Sequence, residues 1–201
     1  MMRRALSLGL GGIAALLTAL TGLSMPAAAQ TVPVAVTNTQ RLELVGTAPA
    51  ACTISAARVG SAVNATYAST GTSAGRIDIT QFVDLETAQA RPSSITLSLP
   101  VVCNGAHHVA VRSRNGGLSR GGGQINQRGG APFAEFLNYD LGVEWAGQTL
   151  GRTSEQGGID IASDQPGAGD FVIRIATADR GTPLVAGQYS DAIVIEFQPA
   201  N

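Results

Sequence analysis

The chain has 201 residues with 13 basic and 14 acidic side chains, and every basic residue is arginine. Without lysine there is no P-loop, no Schiff-base lysine and no lysine-rich nucleic-acid surface. The 44% hydrophobic and 13% charged content can build a core and excludes a disordered acidic or basic tail, and 25 glycines, about 12% against a usual ~7%, favour loop-rich β structure over a helical bundle.

Met1-Met2-Arg3-Arg4 is a short positive start, Ala5 to Leu23 carries no charge, and Ser24 to Ala29 ends in an Ala-x-Ala pattern. This three-part pattern predicts a secretory signal over residues 1–29, cleaved after Ala29. Gly9, Gly11, Gly12 and the helix-breaking Pro26 argue against a membrane anchor of the same length. The expected product is exported, with 11 basic and 14 acidic residues left once Arg3 and Arg4 are removed from 13.

Residues 30–51 precede the first cysteine. From Val32 to Leu44 the even positions are Val32, Val34, Val36, Asn38, Gln40, Leu42 and Leu44, and the odd ones are mainly polar. A ribbon with this period of two is about 40 Å long if extended. It is either an ordinary first strand or a strand that leaves its own domain to complete another, and the period alone favours the first. In an oxidising compartment Cys52 and Cys103, the only cysteines, are expected to pair, closing a loop worth about 4 kcal/mol on the chain-entropy model.

Beyond Cys52, alternation predicts weak strands over 52–59 and 76–83 and a short helical piece over Asp84–Ala90. Ile95 to Cys103 reads as a strand with a kink or edge at Pro100, followed by the turn pair Asn104-Gly105 and a strand over His108–Arg112. Phe136–Trp145, Phe171–Thr177 and Tyr189–Phe197 are further strands, punctuated by Asn115-Gly116-Gly117, Gly157-Gly158, Gln165-Pro166-Gly167 and Asp179-Arg180-Gly181. The Gly, Arg, Gln and Asn-rich stretch from Leu118 to Pro132 reads as a surface loop. Six to eight short strands with a disulfide indicate an all-β sandwich.

Two patterns resemble chemistry. Gly71-Thr72-Ser73-Ala74-Gly75 matches G-x-S-x-G, with Asp78, Asp84 and His107 following in hydrolase order, but a strand rather than a helix is expected after it. His107-His108 are neighbours on a strand and point to opposite faces, so they do not share a metal. No H-x-x-x-H, C-x-x-C or dense carboxylate cluster occurs. Arg112, Arg114, Arg120 and Arg128 lack interleaved aromatics and do not indicate nucleic acid. The expectation is a non-enzyme without cofactor, metal or nucleic-acid partner.

Several blocks resemble the spore coat protein U domain family, the secreted pilins of archaic chaperone–usher pili. These are Cys52-Thr53-Ile54, Cys103 closing a strand, the Gly-rich loop leading into Leu137-Asn138-Tyr139-Asp140-Leu141, and Val185-Ala186-Gly187-Gln188-Tyr189-Ser190-Asp191 before an alternating strand that ends at Phe197. The resemblance runs from about Cys52 to Phe197, and the Gly-x-Tyr-x-Asp turn is its most specific part. It implies an immunoglobulin-like sandwich over 52–201 that lacks its last strand and is completed by strand donation. It further implies a periplasmic chaperone, an outer-membrane usher and neighbouring pilin subunits as partners, for surface attachment or biofilm formation. In that frame residues 30–51 are the donor extension, with Val34, Val36, Leu42 and Leu44 as plugs. Tyr189, Ile193, Ile195 and Phe197 line the acceptor groove on the terminal strand. The competing expectation is a self-complete secreted β-sandwich that binds a glycan or other surface ligand, disfavoured because only Trp145 and three tyrosines among nine aromatics are available for a sugar platform.

Overall fold

Period-two alternation in this chain does fold into strands. The computed structural model describes residues 40–123, 132–178 and 181–200. The chain divides into residues 1–45 and 46–201. In the first unit the described residues, 40–45, have no regular secondary structure and are exposed.

The second unit holds, in chain order, β1 (Cys52–Ile54), β2 (Arg58–Val63), β3 (Ala65–Ser69), β4 (Gly75–Ile79), β5 (Ser93–Cys103), β6 (His107–Ser113) and β7 (Leu118–Arg120). There follow β8 (Phe136–Leu137), β9 (Asp140–Trp145), β10 (Gln148–Thr153), β11 (Ile159–Ser163), β12 (Gly167–Thr177), β13 (Tyr189–Ser190) and β14 (Ile193–Pro199). The largest sheet runs β1-β5-β12-β9-β10, with β2 also on β5 beyond the end of β1. A second sheet places β6 between β11 and β14, a third joins β13, β7 and β8, and β3 pairs with β4. Every strand pairing is antiparallel.

One core joins the two main sheets. Ile95, Leu97, Val101, Leu141, Val143, Trp145, Phe171 and Ile173 from the larger sheet meet Val109, Val111, Ile159 and Ile161 from the smaller. Two sheets facing each other across one apolar layer form a β-sandwich, as expected from sequence. A smaller cluster of Ala90, Leu137 and Leu184, with Phe82 and Tyr189 against it, stands apart from that layer.

The disulfide joins Cys52 to Cys103, which stand directly opposite each other in the β1–β5 register with Cα atoms 4.1 Å apart. Asn104 N donates to Ala51 O and Ser55 N to Pro100 O, so the cysteine pair falls on a non-hydrogen-bonded rung, where strands bring Cα atoms closest. The same phase explains Pro100. Its carbonyl accepts from Ser55, so its nitrogen also faces that side, just beyond the end of β1, and the ladder with β12 loses no bond.

Some expectations change. Asp84–Ala90 is a turn rather than a helix. Asp84 Oδ1 accepts from Glu86 N (3.0 Å) and Thr87 N (3.1 Å), and Ala88 sits at φ 57°. A short side chain that satisfies nearby amides competes with the helix for them. Asn104-Gly105 is no hairpin turn, because β5 and β6 lie in different sheets and neither residue has positive φ. The stretch 136–145 breaks before Asp140, where Tyr139 N donates to Ser154 Oγ and Tyr139 O accepts from Ser154 N. The predicted loop from Leu118 begins as β7, and residues 124–131, with Arg128, lie outside the described residues. β3, β10 and β11 were not expected. The hairpin between β9 and β10 uses Ala146 (φ 49°) and Gly147 (φ 75°), the double positive φ of a tight two-residue turn.

Candidate functional site

The two flanks of the sandwich differ. On one, β10 lies alongside β11, and the inward side chains of β11, Ile159 and Ile161, are each 1% exposed. On the other, β1 faces β14. There the inward side chains Ile193, Ile195 and Phe197 pack on the core yet stay only partly buried. On β2, in the other sheet, Val59 stands opposite Leu97 in the ladder and is 48% exposed, whereas Leu97 itself is 6% exposed. Both β11 and β14 are edge strands of the same sheet, so edge position alone does not explain the contrast. The inward side chains of β14 are thus less buried than those of β11.

The backbone is open along the same line. Arg114 N donates to Ala192 O and Ala200 N to Ala106 O, so the even-numbered residues of β14 bond to β6. Antiparallel geometry turns the N–H groups of Ile193, Ile195 and Phe197, and the carbonyls of those residues and Pro199, away from β6. Among the described residues no strand pairs with that edge. Its inward side chains and its outward backbone groups thus belong to the same residues. A seven-residue apolar edge left in this state is an adhesive surface unless it is covered.

Phe197 anchors the strand. Its ring lies 5.6 Å from Trp145 and 5.2 Å from Phe171, both edge-on. Trp145 Nε1 donates to His107 Nε2 at 2.8 Å, so that nitrogen is unprotonated, and Nδ1 carries the hydrogen toward Gly105 O at 3.0 Å. His107 is buried, while His108 on the opposite face lies 3.7 Å from Asp160. Trp145 is also buried and offers no platform to a sugar.

The far end of the terminal strand is held by Asp191. Its Oδ2 accepts from Tyr139 OH at 2.6 Å and from Ser113 Oγ, and its Oδ1 accepts from Asn115 N at 2.9 Å and Ala192 N at 2.7 Å. Burial, reinforced by the bond to Asp191, pushes the Tyr139 phenol well above its ordinary value. Two residues earlier the Tyr189 hydroxyl donates to Val185 O at 2.7 Å, with Ala134 O at 3.1 Å, and its ring lies tilted against Phe82 with centroids 5.0 Å apart. Gly187, at φ 154°, lets Arg120 approach so closely that a Cβ there would sit 2.7 Å from Arg120 Nε. The Gly-x-Tyr-x-Asp block is therefore a clamp on the start of β14, a role that the sequence pattern alone did not disclose.

The predicted site residues distribute as follows. Cys52 and Cys103 are bonded. Ile193, Ile195 and Phe197 share the open flank, whereas Tyr189 belongs to the smaller cluster and not to the core beneath them. Leu42 and Leu44 are 86% and 98% exposed, and Val34 and Val36 lie outside the described residues. The G-x-S-x-G stretch is the turn between β3 and β4, closed by Thr70 N to Ala74 O. The groups that followed it in order are occupied elsewhere: His107 by Trp145 and Gly105, Asp78 by Arg76, and Asp84 by its own turn. Arg112 pairs with Asp160 and Arg120 with Glu135. Arg114 lines a polar hollow of about 360 Å³ with Asn115, Gly122, Ser190 and Asp191. Among the described residues no three His, Cys, Asp or Glu side chains are grouped to hold a metal, and no helix is long and apolar enough to cross a membrane.

No family model matches the chain, and no curated protein does. Among solved structures, one described as a chaperone–tip adhesin complex vital for activation of CFA/I fimbriae biogenesis aligns over 69% of this chain and 42% of that one, at 17% identity and a TM-score of 0.33.

Proposed function

We propose that this protein is a structural pilus subunit that polymerises by strand exchange. The observation that carries the reading is the β14 edge, whose inward side chains are only partly buried and whose outward backbone groups are unpaired among the described residues, while the inward side chains of the opposite edge strand are buried. In this reading the sandwich is immunoglobulin-like and one strand short. A periplasmic chaperone first covers the edge, and at an outer-membrane usher the segment 30–51 of the next subunit replaces it. The alternation of Val34, Val36, Leu42 and Leu44 supports that role, since a period-two segment can offer side chains to a groove and backbone groups to an edge at once. Burying four such side chains contributes about 6–12 kcal/mol gross, reduced by the cost of ordering and association. The signal-like start, the resemblance to the spore coat protein U family and the disulfide agree with an exported subunit of a surface pilus acting without catalysis.

The test is deletion of residues 30–46 from the mature chain. The truncated domain is expected to bind a pilus chaperone, accept the arm of an intact subunit, and fail to extend the polymer itself. Normal polymerisation of the truncated form rejects the reading.

A further inference from the structure

The chain between Leu44 and the disulfide is held before Cys52 is reached. Asn104, one residue past Cys103, takes hold of that segment through side chain and backbone together. Its Oδ1 accepts from Ala51 N at 2.7 Å, its Nδ2 donates to Pro49 O at 2.8 Å, and its own N–H donates to Ala51 O at 3.0 Å. The β1–β5 ladder thus runs one rung beyond the cysteines, and the side chain carries the hold to Pro49. An amide presents a donor and an acceptor side by side, as a peptide group does, so Asn104 serves as a short substitute for strand backbone. Its own connection does not demand asparagine, because it crosses between sheets without positive φ.

We infer that Asn104 is a positioning residue for the arm: its side chain fixes the arm's root, so that the free linker beyond Leu44 covers residues 45–48 rather than 45–50, Ala51 O staying on the Asn104 backbone N–H in either case. The consequence for a fibre rests on the pilin reading, whereas the mooring itself does not. A flexible linker's end-to-end distance is about 5–6 Å times the square root of its length. Freeing residues 49 and 50 therefore widens the scatter from about 11 to about 13 Å, and the volume explored grows about 1.8-fold. In a polymer joined through that linker, the angle between consecutive subunits would loosen accordingly.

Two variants of the full mature chain test this, Asn104→Ala and Asn104→Asp. Aspartate keeps an acceptor for Ala51 N and loses the donor to Pro49. Amide hydrogen exchange on the unpolymerised protein should show Ala51 exchanging about tenfold faster in Asn104→Ala and nearly unchanged in Asn104→Asp, with Ser55 protected in both. In fibres assembled with chaperone and usher, electron micrographs should show unchanged polymer yield and an angular spread between subunits about 1.2-fold wider in Asn104→Ala, with Asn104→Asp between it and the parent. Unchanged Ala51 exchange in Asn104→Ala overturns the mooring, and an unchanged angular spread despite lost protection overturns its role. If the parent chain forms no polymer, the pilin reading falls, and the exchange result alone decides the mooring.

Discussion

Asp191 is the residue whose loss should be felt furthest from its own position. Replacing it with alanine removes the acceptor for Tyr139 OH, Ser113 Oγ and the amides of Asn115 and Ala192. The Ala192 amide is exposed and the Asn115 amide only part-buried, so both can find water. Tyr139 cannot, since the residue is 2% exposed. Hydrogen bonds to a charged acceptor contribute about 1.5–3 kcal/mol each, and a buried hydroxyl left without a partner costs about 1–3 kcal/mol. Counting only the two hydroxyl bonds, Asp191→Ala should destabilise the mature domain by about 3–5 kcal/mol, and Asp191→Asn by about 1–2 kcal/mol because the hydroxyls can reorient. Urea unfolding with the disulfide intact measures both. A double-mutant cycle with Tyr139→Phe should return a coupling of about 1–2 kcal/mol. A loss below about 1 kcal/mol for Asp191→Ala, or an additive cycle, would refute the clamp.

Tyr139 makes a pH prediction. Its folded value is raised above the ordinary 10.0 by burial first and then by the bond to Asp191, so its contribution is whole below pH 10 and is lost as the pH climbs beyond it; Tyr139→Phe should flatten that alkaline decline in a stability-versus-pH series. Asp160 behaves in the opposite sense. Arg112 holds its value below the ordinary 3.8, so its contribution is present above that pH and fades as acid is added, and Asp160→Asn should remove that part of the acid slope. Phe197→Ala should cost about 2–4 kcal/mol in denaturant unfolding, the lower side of the usual aromatic-to-alanine range because the ring is only partly buried. Ser73→Ala, in an exposed turn, should stay within about 0.5 kcal/mol of the parent by the same measurement.

Much of the sandwich was legible because buried strands announce themselves by alternation. Ile95 to Cys103, His108 to Arg112 and Phe171 to Thr177 each became part of a strand, and the cysteine pair fell on a rung suited to it. β10 was not legible, since the outermost strand of its sheet exposes nearly every side chain and carries no apolar period. The turn before it was missed because Ala146 accepts a positive φ usually left to asparagine or glycine. Asp84–Ala90 misled because its composition suits a helix while Asp84 captures the first amides for itself. At the candidate site, the alternation of Ile193, Ile195 and Phe197 named the inward face. Only the register with β6 revealed that their backbone groups point to the free edge. Asn104 read as a turn former because its partners, Pro49 and Ala51, lie some fifty residues away in sequence, with |i−j| of 55 and 53. Tyr189 read as a fellow of Ile193 by parity, but Asp191 and Ala192 interrupt the strand and place its ring in another cluster.

Whether the free side of β14 receives the arm can be read from the melting of the domain lacking residues 30–46 with a synthetic peptide of that segment added. The account predicts a melting temperature that rises with peptide concentration, as binding to the folded state alone requires, together with new protection of the Ile193, Ile195 and Phe197 amides. Aspartate at Leu42 and Leu44 of the peptide should abolish both effects. A melting temperature indifferent to the peptide, with those three amides already protected in the truncated domain, would contradict it.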